Sequence, residues 1–281
     1  MEGRQEGSRI PDEQVYSTLL ATARQTPSPL VAELVRVEET RGRHLLLLRT
    51  SMLWVLEAYE DIVRHLEEIR ELDALDEHVA NLVGRCREDV VFSMDALLVG
   101  DDARIADLGR DMMEIEFLIR DFTGAVGNLR EWADAAEGKR NDRFAFGRLA
   151  SREERRLHFP DGQLLPDRRE YQAHSASTHP TPDGRPNLWT GDANGFIVHA
   201  ASEILLHHAG RVISAMYLYR EKTAGAPFAA MTESHGLDLL SEAAKRQRDV
   251  MDAIAPDWLK IPREPFHKST PASPQPPGPP R

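Results

Sequence analysis

The chain holds 281 residues, 41% hydrophobic and 29% charged, with a formal net charge of -11 and one cysteine, Cys86. That balance excludes disorder along the whole chain, the acidic average argues against a general nucleic-acid binder, and a lone cysteine excludes a disulfide framework or a multi-cysteine metal site. The polar residues 1–11 contain no signal-peptide stretch, and the most apolar run, 45–48 with 52–56, is broken by Arg49 and falls far short of the roughly 20 apolar residues of a membrane span, so a cytoplasmic protein with no membrane partner is expected.

Residues 1–11 read as a flexible N-terminus and residues 12–261 as a single helical-bundle domain. Asp12 is a good N-cap for a first helix through Val15, Leu19 and Leu20 to about Gln25, where Pro27 and Pro29 end it. From there to about Leu72 the pattern is helical. Leu45, Leu48, Met52, Val55, Tyr59, Ile62, Leu66 and Ile69 alternate steps of three and four, a heptad seam. It predicts one helix on the order of 40 Å long at about 1.5 Å of rise per residue. Residues 75–99 carry Val79, Leu82, Cys86, Val90, Met94 and Leu97 on one stripe, closed by the turn signal Gly100-Asp101-Asp102. A second seam follows at Ile105, Leu108, Met112, Ile115, Ile119, Phe122, Val126 and Leu129. Three helices with short connections predict an up-down-up bundle.

Residues 138–190 change character. Nine basic residues stand between Lys139 and Arg169 against five acidic ones, with Phe144, Phe146 and Phe159 interspersed, so 138–190 reads as an irregular basic insert, with a short helix plus loops over 138–166 and a loop over 183–190. A helix from Asp167 to Thr178 is stopped by His179-Pro180-Thr181-Pro182-Asp183-Gly184. A last long helix from near Asp192 through Ile197, Ile204, Leu205, Val212 and Met216 to about Lys222 supplies a fourth bundle member. An amphipathic helix from Ser234 to Ile254 turns Leu237, Leu240, Ala244 and Val250 inward. Residues 262–281 are Pro- and Ser-rich and bury almost nothing, a disordered tail. With no alternating β-branched run, the expected fold is all-α: an antiparallel helical bundle of long helices.

Several constellations carry candidate chemistry. Tyr171, Ser175 and His179 lie at steps of four on one helical face, either as a polar site or as anchors of a helix end. Arg110 and Glu114 sit off the seam, as an exposed ion pair or, under a covering helix, as part of a polar site with His179. His199, Glu203 and His207, also at steps of four, place two imidazoles and a carboxylate where they can ligate a metal or simply pack. Di-metal bundles need Glu-x-x-His pairs from several helices, and Glu203 to His207 has a different spacing. The expectation is therefore no metal and no cofactor. His207-His208 beside Arg211, with the basic stretch from Arg140 to Arg156, can hold an anion or form a solvated face. A phosphate-cradling Gly-rich loop, a His-Glu-x-x-His motif and a nucleophile elbow are all missing from the sequence.

Arg169 and His174, with four residues between them, resemble the motif of HEPN ribonucleases. The resemblance implies an acid–base and phosphate-stabilising pair acting on RNA, with two such pairs meeting in a basic cleft across a dimer interface. Glu170 stands where those enzymes usually carry a different polar residue. Arg110 and Glu114, followed by Tyr171, Ser175 and His179, also resemble a bacterial all-helical family with an Arg-x3-Glu helix before a Tyr-x3-Ser-x3-His segment, over roughly residues 101–222. No activity is assigned to that family. A bacterial, GC-rich source also fits the dominance of arginine over lysine. Two functions are expected: a non-enzymatic interaction or regulatory protein that engages a protein partner or itself through its helices, or a divergent HEPN-like endoribonuclease acting as a toxin or defence effector.

Overall fold

The structure, a computed structural model, describes residues 12–25, 27–72, 75–160, 165–178, 192–225 and 234–254. Among these residues every regular element is helical. The elements are α1 (Asp12–Arg24), α2 (Pro29–Thr50), α3 (Leu53–Arg70), α4 (Glu77–Val99), α5 (Asp102–Gly124), α6 (Gly127–Asp134), α7 (Glu137–Phe144), α8 (Phe146–Arg156), α9 (Pro166–Thr178), α10 (Ala193–Ala201), a π-helical segment (Ser202–Ala209), α11 (Gly210–Ala224) and α12 (His235–Ile254). The expected all-α antiparallel bundle is the fold. The segments read as a flexible N-terminus and a disordered tail lie outside the described residues. A compact unit of residues 1–244 holds the core, and of residues 245–281 only the end of α12 is described. No described helix is long and apolar enough to cross a membrane.

Local chemistry sets the helix ends. Ser28 and Asp76 accept hydrogen bonds from the amides of Val31 and His78, satisfying donors that a first turn leaves open. Gly100 closes α4 with φ of 76°, a left-handed conformation that disfavours any side chain, and Asp101 caps α5 by accepting from Arg104 N. The helix expected to run unbroken to Leu72 is instead α2 and α3. The hydroxyls of Thr50 and Ser51 donate back to the carbonyls of Leu46 and Leu47. The Leu47 carbonyl also receives the amides of Ser51 and Met52, and this competition ends the α ladder. The apolar stripe survives the break, with Leu48, Met52, Val55, Tyr59, Ile62, Leu66 and Ile69 buried and Leu45 left exposed.

Helices α3, α4 and α5 alternate in direction around a core that includes the fully buried Phe117 and Phe122. α10, the π-helical segment and α11 keep helical dihedrals through both junctions and form one rod. His44 stacks on Phe196 near the rod's start. Toward its other end His65 is hydrogen-bonded to Tyr217, and Lys222 reaches the Gly124 carbonyl. The rod therefore runs parallel to α3 and α5, which requires a long crossover. Residues 125–192 supply it, and α9 within them returns antiparallel, placing Asp167 at Arg211 and His174 at Glu203.

Among the described residues of the basic insert, the two helices α7 and α8 stand where one short helix plus loops is expected. α7 and α8 meet at Ala145 and bury Phe144 and Phe146. Several of its arginines are tied to partners in the chain: Arg152 on Asp121, Arg168 on Glu154, the exposed Arg156 on Glu153, and Arg140 on the carbonyls of Trp132 and Ala135, while Arg148 and Arg155 are exposed. Cys86 is buried, and burial pushes its thiol well above the ordinary range, as in an inert packing cysteine.

Two outcomes follow from this core. Phe122→Ala should lose about 3–5 kcal/mol of stability in a denaturant melt, whereas Phe92→Ala on the exposed face of α4 should stay within about 0.5 kcal/mol. Asp89 is also buried, with Oδ2 lacking a hydrogen bond. Burial first, then the hydrogen bond and charge of Asp111, push its carboxyl up to about 8. The folded chain then keeps a proton that the unfolded chain releases near pH 4, so this group makes stability fall as pH rises from about 4 to about 8. Asp89→Asn should melt close to the parent at pH 5 and clearly above it at pH 8.5. An equal difference at the two pH values would refute the assignment.

Candidate metal centre

One stripe of α5 faces the rod. Asp102, Gly109 and Glu116 are spaced by seven residues, about two helical turns, so they line up along the helix. Asp102 Oδ1 lies 3.8 Å from His199 Nε2. Glu116, which has no exposure to solvent, receives Arg211 at 3.0 Å. Between them Gly109 lies under the His208 ring, where an added Cβ would come within 2.8 Å of Cδ2 and Nε2. Glycine inside a helix is destabilising by roughly 0.5–1 kcal/mol relative to alanine, and this close approach explains its presence.

The π-helical segment decides which side chains meet. In an α-helix residues five apart point about 140° away from each other, but in the i→i+5 register of a π-helix they stack. Glu203 and His208 therefore share a face. The register ends at Gly210, whose amide bonds the Leu205 carbonyl five residues back. A Cβ there would lie 3.1 Å from that oxygen.

α9 brings two more donors to the same face, Glu170 and His174, one turn apart. Single donor atoms of Glu170, His174, Glu203 and His208 all lie within 4.8 Å of one another. Both imidazoles aim Nε2 at one oxygen: Glu203 Oε1 is 3.3 Å from His174 and 3.4 Å from His208. Glu170 Oε1 lies 3.8 Å from His208 Nε2. The two rings meet edge to face at 5.2 Å. A tetrahedral ion with bonds of about 2.0–2.1 Å sets its donors about 3.3–3.4 Å apart, so the shortest separations already match. His208 is 1% exposed, and neither of its ring nitrogens makes a directed hydrogen bond. Burial alone would raise the Glu203 carboxyl, but the two imidazoles outweigh it and hold Glu203 well below the ordinary carboxylate range, as an anion.

Arg211 orients this cluster from one side. Its guanidinium touches Glu116, Asp167 and, at 3.5 Å, Glu170 Oε2. Arg120 adds a second cation to Glu116 at 2.5 Å. The carboxylate–arginine network holds Glu170 in place, as outer partners do for ligands of metal sites.

The residues singled out from the sequence are distributed around this centre. Tyr171 donates to Glu114 Oε1 at 2.6 Å and stacks on Phe146 at 3.9 Å, so α9 does cover that face of α5. Arg110 pairs with Asp107 at 2.6 Å. Ser175 is partly buried on α9, and His179 lies outside the described residues. Arg169 is exposed, whereas His174 is buried in the cluster. His199 and His207 lie half-exposed beside Asp102 and Glu203. Sequence reasoning misses Glu170 and His208 as partners of His174 and Glu203. The Glu170 to His174 spacing is a readable signal. Glu203 to His208 is not, because residues five apart share a face only in the π register.

No protein-family model, curated protein or solved structure matches this chain. The site is therefore read from its geometry alone. Gly109→Ala tests its packing. The added methyl should destabilise by about 1–3 kcal/mol through the displaced imidazole, despite alanine's better helix propensity, and should shift the His208 ring resonances in an NMR spectrum. A variant as stable as the parent with unmoved resonances would contradict the packing.

Proposed function

We propose that this chain is a metal-binding helical protein that holds a divalent transition-metal ion on Glu170, His174, Glu203 and His208. The observation that carries this reading is the convergence of four donor atoms within 4.8 Å around a fully buried histidine with no directed hydrogen bond. A buried polar group in that condition costs about 1–3 kcal/mol, and a cation accepting the Nε2 lone pair gives that nitrogen a directed bond beyond the Glu203 oxygen 3.4 Å away. Two imidazoles favour zinc, manganese, iron or cobalt over magnesium or calcium, whose preferred donors are all oxygen. Two carboxylates balance a divalent charge, which lowers the penalty of placing it inside the bundle.

Four protein donors close a tetrahedral site, the arrangement of structural rather than catalytic ions. The ion would clamp α9 to the rod and stabilise the surface formed by the crossover. This fits a non-enzymatic interaction or regulatory protein acting through its helices. The ribonuclease reading gains no matching support, since Arg169 is exposed and His174 belongs to the ion cluster.

Untagged protein incubated with zinc and freed of excess by gel filtration should retain at least one equivalent by elemental analysis. Its melting temperature should rise with zinc concentration, and stabilisation should reach about 2.7 kcal/mol at one hundred times Kd. His208→Ala and Glu170→Ala should each lower affinity by at least tenfold. A well-folded parent that takes up no zinc, manganese, iron or cobalt would overturn the reading.

A further inference from the structure

The end of α5 forms an open cavity of about 610 Å³ with α8 and α11, a size that suits a small organic ligand. Its polar lining comes from all three helices. Arg120 Nη1 lies 3.5 Å from Glu153 Oε1, and Arg156 Nε donates to Glu153 Oε2 at 2.7 Å. Glu153 is 5% exposed, so these two guanidiniums already hold one carboxylate at the wall of the cavity. Arg120 is committed to Glu116 as well. A guanidinium carries five N–H donors. Arg156 gives Nε and Nη2 to Glu153, and its Nη1 has no partner among the described residues. Lys222 Nζ meets the Gly124 carbonyl at 3.4 Å and, among the described residues, pairs with no carboxylate. Arg156 and Lys222 are therefore the cations that a ligand can engage.

Each of them has an apolar neighbour in the same lining. Leu157 directly follows Arg156 at the end of α8, and Leu218 precedes Lys222 by one turn of α11. These two leucines are 47% and 50% exposed, a costly state for large apolar side chains that an apolar ligand would relieve. The lining holds three cations, Arg120, Arg156 and Lys222, against two carboxylates, Glu153 and Glu221. That is a local excess of one positive charge on a chain whose net charge is -11. We propose that this cavity binds a monocarboxylate with an apolar body, such as a medium-chain fatty acid, with Arg156 and Lys222 receiving its carboxylate and Leu157 and Leu218 covering its chain. A single negative charge matches the local excess, whereas the second charge of a phosphate monoester would act against Glu153 and Glu221. None of these residues belongs to the candidate metal centre, so this site and the metal site stand or fall separately.

Octanoate titrated calorimetrically into untagged, metal-free, full-length protein should bind saturably. Acetate has the charge without the chain and octanol the chain without the charge, so each should bind roughly tenfold more weakly or worse. Octyl phosphate should also bind more weakly than octanoate. Lys222 and Leu218 are exposed, so Lys222→Gln and Leu218→Glu should keep the parent's circular dichroism spectrum and melting temperature. Lys222→Gln should weaken octanoate binding roughly threefold or more, and Leu218→Glu roughly tenfold or more. No saturable binding of octanoate, unchanged affinity in either folded variant, or octanol binding as tightly as octanoate would overturn the proposal. Tighter binding of octyl phosphate would overturn the assignment to a monocarboxylate.

Discussion

The arrangement of this bundle depends on one buried contact, the pairing of Glu116 on α5 with Arg211 on the rod. Glu116 is wholly removed from water, and an isolated carboxylate in that position would be strongly unfavourable. Burial raises its carboxyl above the ordinary range, and Arg211 and Arg120 offset part of that cost. Because both side chains are anchored to long helices, the pair sets the axial position of the rod on α5. Two turns away, Gly109 then falls under His208, and two turns beyond that Asp102 falls beside His199.

The same network reaches the crossover. Arg211 also holds Asp167 and Glu170, so α9 is drawn against both α5 and the rod. Tyr171 secures the other face of α9 through Glu114 and Phe146. α9 is a short helix with two polar faces, and its position is settled by charge and hydrogen bonding more than by apolar burial. A cation on the inner face would add to these polar contacts. Under the proposed function, metal binding and the placement of α9 would be linked, as for other sites that exist only in the folded chain.

Much of the architecture is legible in the sequence. The stripes on residues 48–69, 79–97 and 105–122 are readable because helical periodicity repeats often enough to stand out from chance, and their members are buried with few exceptions, such as the part-buried Leu108 and Met94. Capping residues Asp76, Gly100, Asp101 and Asp192 mark boundaries for the same reason, since backbone ends have a small set of chemical solutions. The break at Ser51 is hidden because the apolar stripe runs straight through it, and only the hydroxyl hydrogen bonds interrupt the backbone.

The candidate centre is legible in part. His174, Glu203 and the histidines around them are visible as helical spacings, and Tyr171 with Glu114 as a resemblance. Their grouping is not, because it depends on contacts between segments about thirty residues apart and on a register the helical wheel does not contain. The sequence by itself determined an all-helical chain, its main boundaries and its core stripes, since these follow from neighbours along the backbone. Only the tertiary structure decided that the rod runs parallel to α5, that the π segment turns His208 onto the face of Glu203, and that α9 carries Glu170 and His174 to meet them. Those outcomes come from packing and buried charge, which act across space and leave no periodic trace in the order of residues.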